Sequence, residues 1–364
     1  MKWVTLTFMT ISAIDRLRLF LRPPGRGLHT NSTGGGYALP VLKKLYGTES
    51  SKEVTDAWEE SLQRIRRVEG VVLGVPSDTG AGILRGANFG PIGVREAYLT
   101  HYKSYPKGII DIGDIIVVPQ LLHDEMLSDS QIESSRAELY PGRNEKLPVS
   151  PLSITEALYV ALMELNADLK VFVIGGDHSV TWPAMVHCHK KYGGDFGVLH
   201  FDAHSDLMES RLGVKYCFAT WAGHAAKLMK PHHMVQVGVR TSTKTKQYWM
   251  DKFPLLQVWA EEVPGREIEV VTQVLQYFLK SGVKKIYITN DIDGTDPVSA
   301  PATGTPEPKG LSPQFVQGLI AAVRQKFYLI GGDVVEVAPP LSGTRDYSQE
   351  KTCRLAADYL HALF

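Results

Sequence analysis

Asp202, His204 and Asp206 fall at alternate positions directly after the apolar run Val198-Leu199-His200-Phe201. In an extended chain residues two and four apart share a side, so two carboxylates and an imidazole converge where a strand meets its loop. Groups of this kind at such range need a cation to offset desolvation and mutual repulsion. Two further segments repeat the theme. In Gly175-Gly176-Asp177-His178-Ser179 the glycines turn the chain tightly after an apolar run and leave His178 at the rim. In Asn290-Asp291-Ile292-Asp293-Gly294-Thr295-Asp296-Pro297, Asp291 and Asp293 share a face at a strand end. Taken singly, each has an ordinary reading: a solvated acidic turn, a helix N-cap on Asp177 or Ser179, and an Asp/Gly/Pro turn. The third also departs from a calcium loop, which needs a glutamate at its twelfth position. Together they offer two histidines, His178 and His204, and four carboxylates, Asp202, Asp206, Asp291 and Asp293. That is a donor set for two divalent ions, and mixed imidazole and carboxylate favours manganese, or nickel or iron, over calcium or a thiolate-seeking metal.

Such groups must be held by elements that end at one place. Open parallel sheets bind ligands beyond the carboxyl ends of their strands, and all three segments follow strand-like runs. Apolar runs predict strands over 71–76, 109–118, 169–174, 196–201, 234–239, 285–289 and 328–337. Three- and four-residue apolar spacing predicts helices over 153–166, 180–192, 221–229, 267–279, 312–325 and 349–363. The polar stretch 124–147 reads as a surface excursion. This alternation implies an α/β fold with three αβα layers and a central, mostly parallel sheet of about eight strands. No internal repeat or second domain is visible, so residues 49–364 read as one domain.

Gly-Gly-Asp-His-Ser at 175–179, Asp-Ala-His-Ser-Asp at 202–206 and Asp-Ile-Asp-Gly-Thr-Asp-Pro at 291–297 resemble the three signatures of the ureohydrolases, the arginase/agmatinase family. The segments 86–95 and 332–340 are similar to that family as well, and the resemblance runs from about residue 71 to 363. It implies an arginase-like fold, two manganese ions with nickel as the alternative, and a homo-oligomer, trimer or hexamer. It implies that His178 and Asp206 hold one ion, His204 and Asp293 the other, and that Asp202 and Asp291 bridge them. The implied reaction releases urea and an amine from a small guanidino compound, with Asp206 carrying a proton to the leaving amine and Glu336 gripping the guanidinium. The family's loop after Asp-Ala-His-x-Asp contains a proton-shuttling histidine. Here loop 207–221 has none, and Cys217 or Phe218 stands in its place. Contacts for an α-amino acid are also absent, so an agmatine-like substrate is expected. Glu209 and Arg211 are the candidates for substrate contact. The alternatives are a catalytically silent metal-binding homologue, or a hydrolase of guanidine or another guanidino or formimino compound.

Composition excludes several other classes. Among 364 residues, 39 basic side chains balance 39 acidic ones, which argues against nucleic acid or an anionic membrane as partner. The three cysteines, Cys188, Cys217 and Cys353, lack CxxC spacing, against a disulfide scaffold or thiolate zinc site. No apolar run reaches the roughly 18 residues of a membrane span. His187-Cys188-His189 lies in a helical stretch whose adjacent side chains diverge, and His232-His233 reads as a loop. Residues 1–48 differ in holding Asp15 as their one acid among Lys2, Arg16, Arg18, Arg22, Arg26, Lys43 and Lys44. Basic and apolar residues alternate over 16–22, followed by Pro/Gly-rich stretches, as in a mitochondrial or other organellar transit peptide. An inert leader on a cytoplasmic protein is the competing reading, and the few cysteines argue against secretion.

Overall fold

In the computed structural model, which describes residues 11–28 and 35–364, a nine-stranded sheet is wrapped by twelve α-helices. In chain order the helices are α1 (Ala13–Phe20), α2 (Leu39–Tyr46), α3 (Ser51–Arg64), α4 (Gly90–Tyr102), α5 (Asp129–Leu139), α6 (Pro151–Leu165), α7 (Thr181–Tyr192), α8 (Trp221–Ala225), α9 (Lys246–Lys252), α10 (Glu267–Ser281), α11 (Pro313–Lys326) and α12 (Lys351–Leu363). The strands are β1 (Leu21–Arg22), β2 (Gly70–Val75), β3 (Ile109–Ile115), β4 (Lys170–Gly175), β5 (Gly197–Phe201), β6 (Met234–Val239), β7 (Leu256–Trp259), β8 (Lys285–Asp291) and β9 (Tyr328–Val335). All expected strands and helices are present; α8 is shorter than expected, and the excursion 124–147 carries α5. β1 and β7 bring the sheet to nine strands against the expected eight or so.

The sheet order is β1-β3-β2-β4-β9-β8-β5-β6-β7, parallel throughout except for β1. Both faces are covered, so strands such as Gly70–Val75 are buried along their whole length. Side chains alternate between two cores. Val171 and Val173 pack with α1, α6 and α7 on one face, while Phe172 and Ile174 pack with α4, α11 and α12 on the other. β4 and β5 are successive in the chain yet separated by β9 and β8 in the sheet. Four neighbouring strands, β4, β9, β8 and β5, therefore end side by side, and the motif segments 175–179, 202–206 and 291–297 leave from three of them. This is the switch point at which open α/β sheets form their sites.

Residues 11–28, expected as part of a leader, are built into this domain. Leu17, Phe20 and Leu21 are fully buried, and Arg16 pairs with Glu164 of α6. β1 runs antiparallel to β3, and the Gly25 N–H donates to Asp114 Oδ2 at 2.7 Å. Asp114 and Asp111, two acids within β3, are the buried partners of Arg95. The Arg95 guanidinium meets Asp111 through Nε at 2.7 Å and Nη2 at 3.0 Å, and contacts Asp114 through Nη1. The remaining leader expectations, over 1–10 and 29–34, lie outside the described residues. No described helix is long and apolar enough to cross a membrane.

Candidate metal centre

His178 begins a short helical turn after β4, Asp202 follows β5, and Asp291 closes β8. The sheet thus brings six side chains from three distant segments to one place, and all but His204 are buried. His178 Nδ1 lies 3.0 Å from Asp291 Oδ2, 3.1 Å from Asp202 Oδ2 and 3.3 Å from Asp206 Oδ2. His204 Nδ1 lies 3.2 Å from Asp293 Oδ2 and 3.3 Å from Asp202 Oδ1. The two oxygens of Asp202 therefore face different histidines. His178 Nδ1 makes no hydrogen bond of ordinary geometry despite its three carboxylate neighbours. Ligands about 2.1 Å from one ion at adjacent octahedral corners lie about 3 Å apart, which is the spacing seen here.

The protons fit the same reading. His178 Nε2 is 2.9 Å from Thr289 Oγ1, whose hydroxyl donates to Asp333 Oδ1 at 2.6 Å. With its own hydrogen committed to Asp333, Thr289 must accept from Nε2–H, which leaves a lone pair on Nδ1 among the carboxylates. Metal-holding histidines commonly donate their far N–H to such an acceptor. The cage is also anionic. Burial would lower the His204 imidazole, but the charge of Asp293 and the nearby Asp202 carboxylate push it up to about 12. Burial and the neighbouring carboxylates hold Asp206, Asp291 and Glu336 well above the usual range. Protons or cations must therefore neutralise the site, and four aspartates balance two divalent ions.

Backbone geometry is specialised at two of these positions. Asp206 and Glu336 adopt φ of +51° and +61°, conformations that cost non-glycine residues of order 1–3 kcal/mol and concentrate at functional sites. Trp221 Nε1–H donates to Asp206 Oδ2 at 2.9 Å, and its indole packs against the His178 and His200 rings. Glu336, just beyond β9, accepts the His178 N–H on Oε1 at 2.9 Å and donates its own N–H to Gly176 O at 2.8 Å. A Cβ on Gly176 would stand 1.7 Å from Ser77 O, so only glycine permits this approach. Near Glu336 Oε2 stands Gly304, where a Cβ would come within 3.9 Å of that oxygen and 2.9 Å of Leu84 O.

The loop after the central motif holds Cys217 and Phe218 in different surroundings. Cys217 is buried, and burial pushes its thiol up. Phe218 donates its N–H to Gly80 O at 3.0 Å, and its ring stands beside Gly82, which Thr305 also flanks. Thr305 donates to Asp293 Oδ2 at 3.0 Å, which relates Phe218 to the centre, while Asp206 is among the charges that raise the Cys217 thiol. Arg211 is exposed, with its guanidinium 5.1 Å over the Phe218 ring. Glu209, by contrast, reaches Lys227 at 3.5 Å and Lys252 at 3.7 Å on the exposed surface. His224 bonds Lys215 O and supplies no group to the cage. Sequence reasoning missed His200, Trp221, Gln236, Thr289 and Asp333. His200, Gln236 and Asp333 are single polar residues inside apolar strands, a usable signal, whereas Thr289 merges with the polar end of β8 and Trp221 left none.

Residues 68–364 match the arginase family. The chain is 32% identical to an agmatinase of Chromobacterium violaceum, covering 87% of this chain and 90% of that protein. It is 31% identical to the N(1)-aminopropylagmatine ureohydrolase of Thermus thermophilus, over 74% and 82% of the two. Among solved structures it resembles the proclavaminate amidino hydrolase of Streptomyces clavuligerus, with 27% identity, a TM-score of 0.63, and coverage of 81% and 92%.

Proposed function

This chain belongs to the arginase family, and from that premise we propose that it hydrolyses a small, agmatine-like guanidino compound to urea and an amine, using two manganese ions. The observation that carries this reading is the division of the cage around Asp202. Its Oδ2 lies with His178, Asp206 and Asp291, and its Oδ1 with His204 and Asp293. In this assignment Asp202 and Asp291 would be shared by both ions, while His178 and Asp206 would hold one and His204 and Asp293 the other. Two divalent ions bound there supply a nucleophilic water at neutral pH and charge to stabilise the tetrahedral transition state.

The remaining work belongs to side chains of this protein. Glu336 keeps Oε2 free beside Gly304, so a planar guanidinium can approach it and bind through charge-assisted hydrogen bonds. Its charge matches the substrate's, because the four aspartates are already balanced by the ions. Asp206 is placed to take a proton from the attacking water and return it to the leaving nitrogen, and Trp221 fixes which oxygen is available. Phe218 cannot relay a proton, so Asp206 must do this without the loop histidine.

A second reading has one observation in its favour. Arg211 over Phe218 places a cation at the rim, which favours a guanidino acid over a guanidino amine. Urea release from agmatine, arginine, 4-guanidinobutyrate and guanidine, with manganese and then nickel, separates these. Agmatine is expected to give the highest kcat/KM; a preference for 4-guanidinobutyrate would establish the second reading. No urea from any substrate by a chain holding two ions would contradict both and leave a silent metal-binding homologue.

A further inference from the structure

The cluster has a further buried imidazole-carboxylate contact that the six-residue assignment does not use. His200 Nε2 lies 2.8 Å from Asp202 Oδ2, close enough to count His200 among the metal-capable groups. Its other nitrogen shows what it does. Gln236 Nε2 lies 2.9 Å from His200 Nδ1, Gln257 Nε2 lies 2.8 Å from Gln236 Oε1, and Trp259 Nε1 lies 3.1 Å from Gln257 Oε1. His200, Gln236 and Gln257 are fully buried and stand opposite one another in register across β5, β6 and β7.

This row has only one consistent direction. An indole N–H donates and never accepts, so Trp259 fixes Oε1 of Gln257 as acceptor and Nε2 as donor. Gln236 must then accept on Oε1 and donate from Nε2. A second contact agrees, because Gln236 Nε2 also reaches Ser205 O at 2.6 Å, and a carbonyl can only accept. His200 Nδ1 is left as the acceptor and Nε2 as the N–H. Reversing any member would bury two facing donors or two facing lone pairs, at about 1–3 kcal/mol for each unsatisfied group.

We propose that Trp259, Gln257 and Gln236 hold His200 as the neutral Nε2–H tautomer, and that His200 is a positioning residue for Asp202 rather than a metal ligand. This rests on the reading of Asp202 as the bridging ligand. His200 donates to Asp202 Oδ2, and the His204 backbone N–H donates to Asp202 Oδ1 at 2.6 Å. One hydrogen bond on each oxygen fixes the carboxylate plane and leaves a lone pair of each oxygen for an ion. Partners of this kind set ligand orientation, and their loss typically weakens metal binding by about 10–100-fold.

Imidazole nitrogen NMR of the full chain, metal-free and then loaded with a diamagnetic divalent ion, reads the tautomer directly. The His200 Nε2 proton is expected in both states; an Nδ1–H tautomer, or loss of the Nε2 proton on loading, would overturn the assignment. Manganese titration tests the positioning. Gln236→Leu, and independently Gln257→Leu, should give mixed His200 tautomers and about 10–100-fold weaker binding of at least one ion. His200→Phe should weaken it at least as much, and His200→Asn, which restores a donor, should recover part of the loss. Wild-type affinity in both glutamine variants would overturn the positioning role. Asp202→Ala with wild-type affinity would instead refute the bridging reading, and the positioning with it, while the tautomer result stood.

Discussion

Glu336 places a buried carboxyl group beside a cluster that is already acidic, in a backbone conformation that L residues avoid. Nothing in packing favours a carboxylate there, since burial and Asp291 both oppose its ionised form. A cationic partner accounts for the residue. Glu336→Gln keeps the shape and the hydrogen bond from His178 but removes the charge that grips a guanidinium. It should lower kcat/KM by about 100-fold or more, the equivalent of about 3 kcal/mol, with metal content unchanged. Steady-state kinetics with agmatine and metal analysis of the same sample check this. At this scale the sequence was informative where polar residues cluster and uninformative where they stand alone. Asp202, His204, Asp206, Asp291 and Asp293 announce themselves by alternate spacing, and His178 by the Gly-Gly turn before it. His200, Gln236 and Asp333 each interrupt an apolar strand once, Thr289 runs into Asn290 and Asp291, and the meaning of all four comes only from the register between strands far apart in the chain.

Among the elements, α1 and β1 depart furthest from expectation. Their arginines gave them the composition of a leader, yet Arg16 pairs with Glu164, and Leu17, Phe20 and Leu21 lie in the core beside α6 and β3. Composition could not reveal this, because an amphipathic basic helix has the same residues whether it addresses a membrane or packs on a sheet. Fully burying each of these three side chains is worth about 1.5–3 kcal/mol, and together they rival the total stability of many domains. Removing the Gly25 N–H also strips a donor from Asp114, a partner of the buried Arg95. A chain starting at residue 49 is therefore expected to lose at least about 5 kcal/mol in denaturant unfolding, or to be recovered only as aggregate. Unfolding indistinguishable from the full chain would show that 1–48 is separable after all.

For the whole molecule, strand-helix alternation made the three-layer architecture legible, because parallel sheets covered on both faces leave continuous apolar runs. The sheet order was not legible. That the last strand, β9, enters between β4 and β8 is what sets Glu336 beside the three metal-capable segments, and no local pattern encodes it. The central claim is that this switch point holds two divalent ions across Asp202. Its most direct test is the stoichiometry of manganese bound by the chelator-stripped full chain and by Asp202→Ala, measured by calorimetric titration with folding monitored in parallel. Two ions per wild-type chain, and loss of both from the folded variant, are predicted. Wild-type metal content in Asp202→Ala would contradict the account.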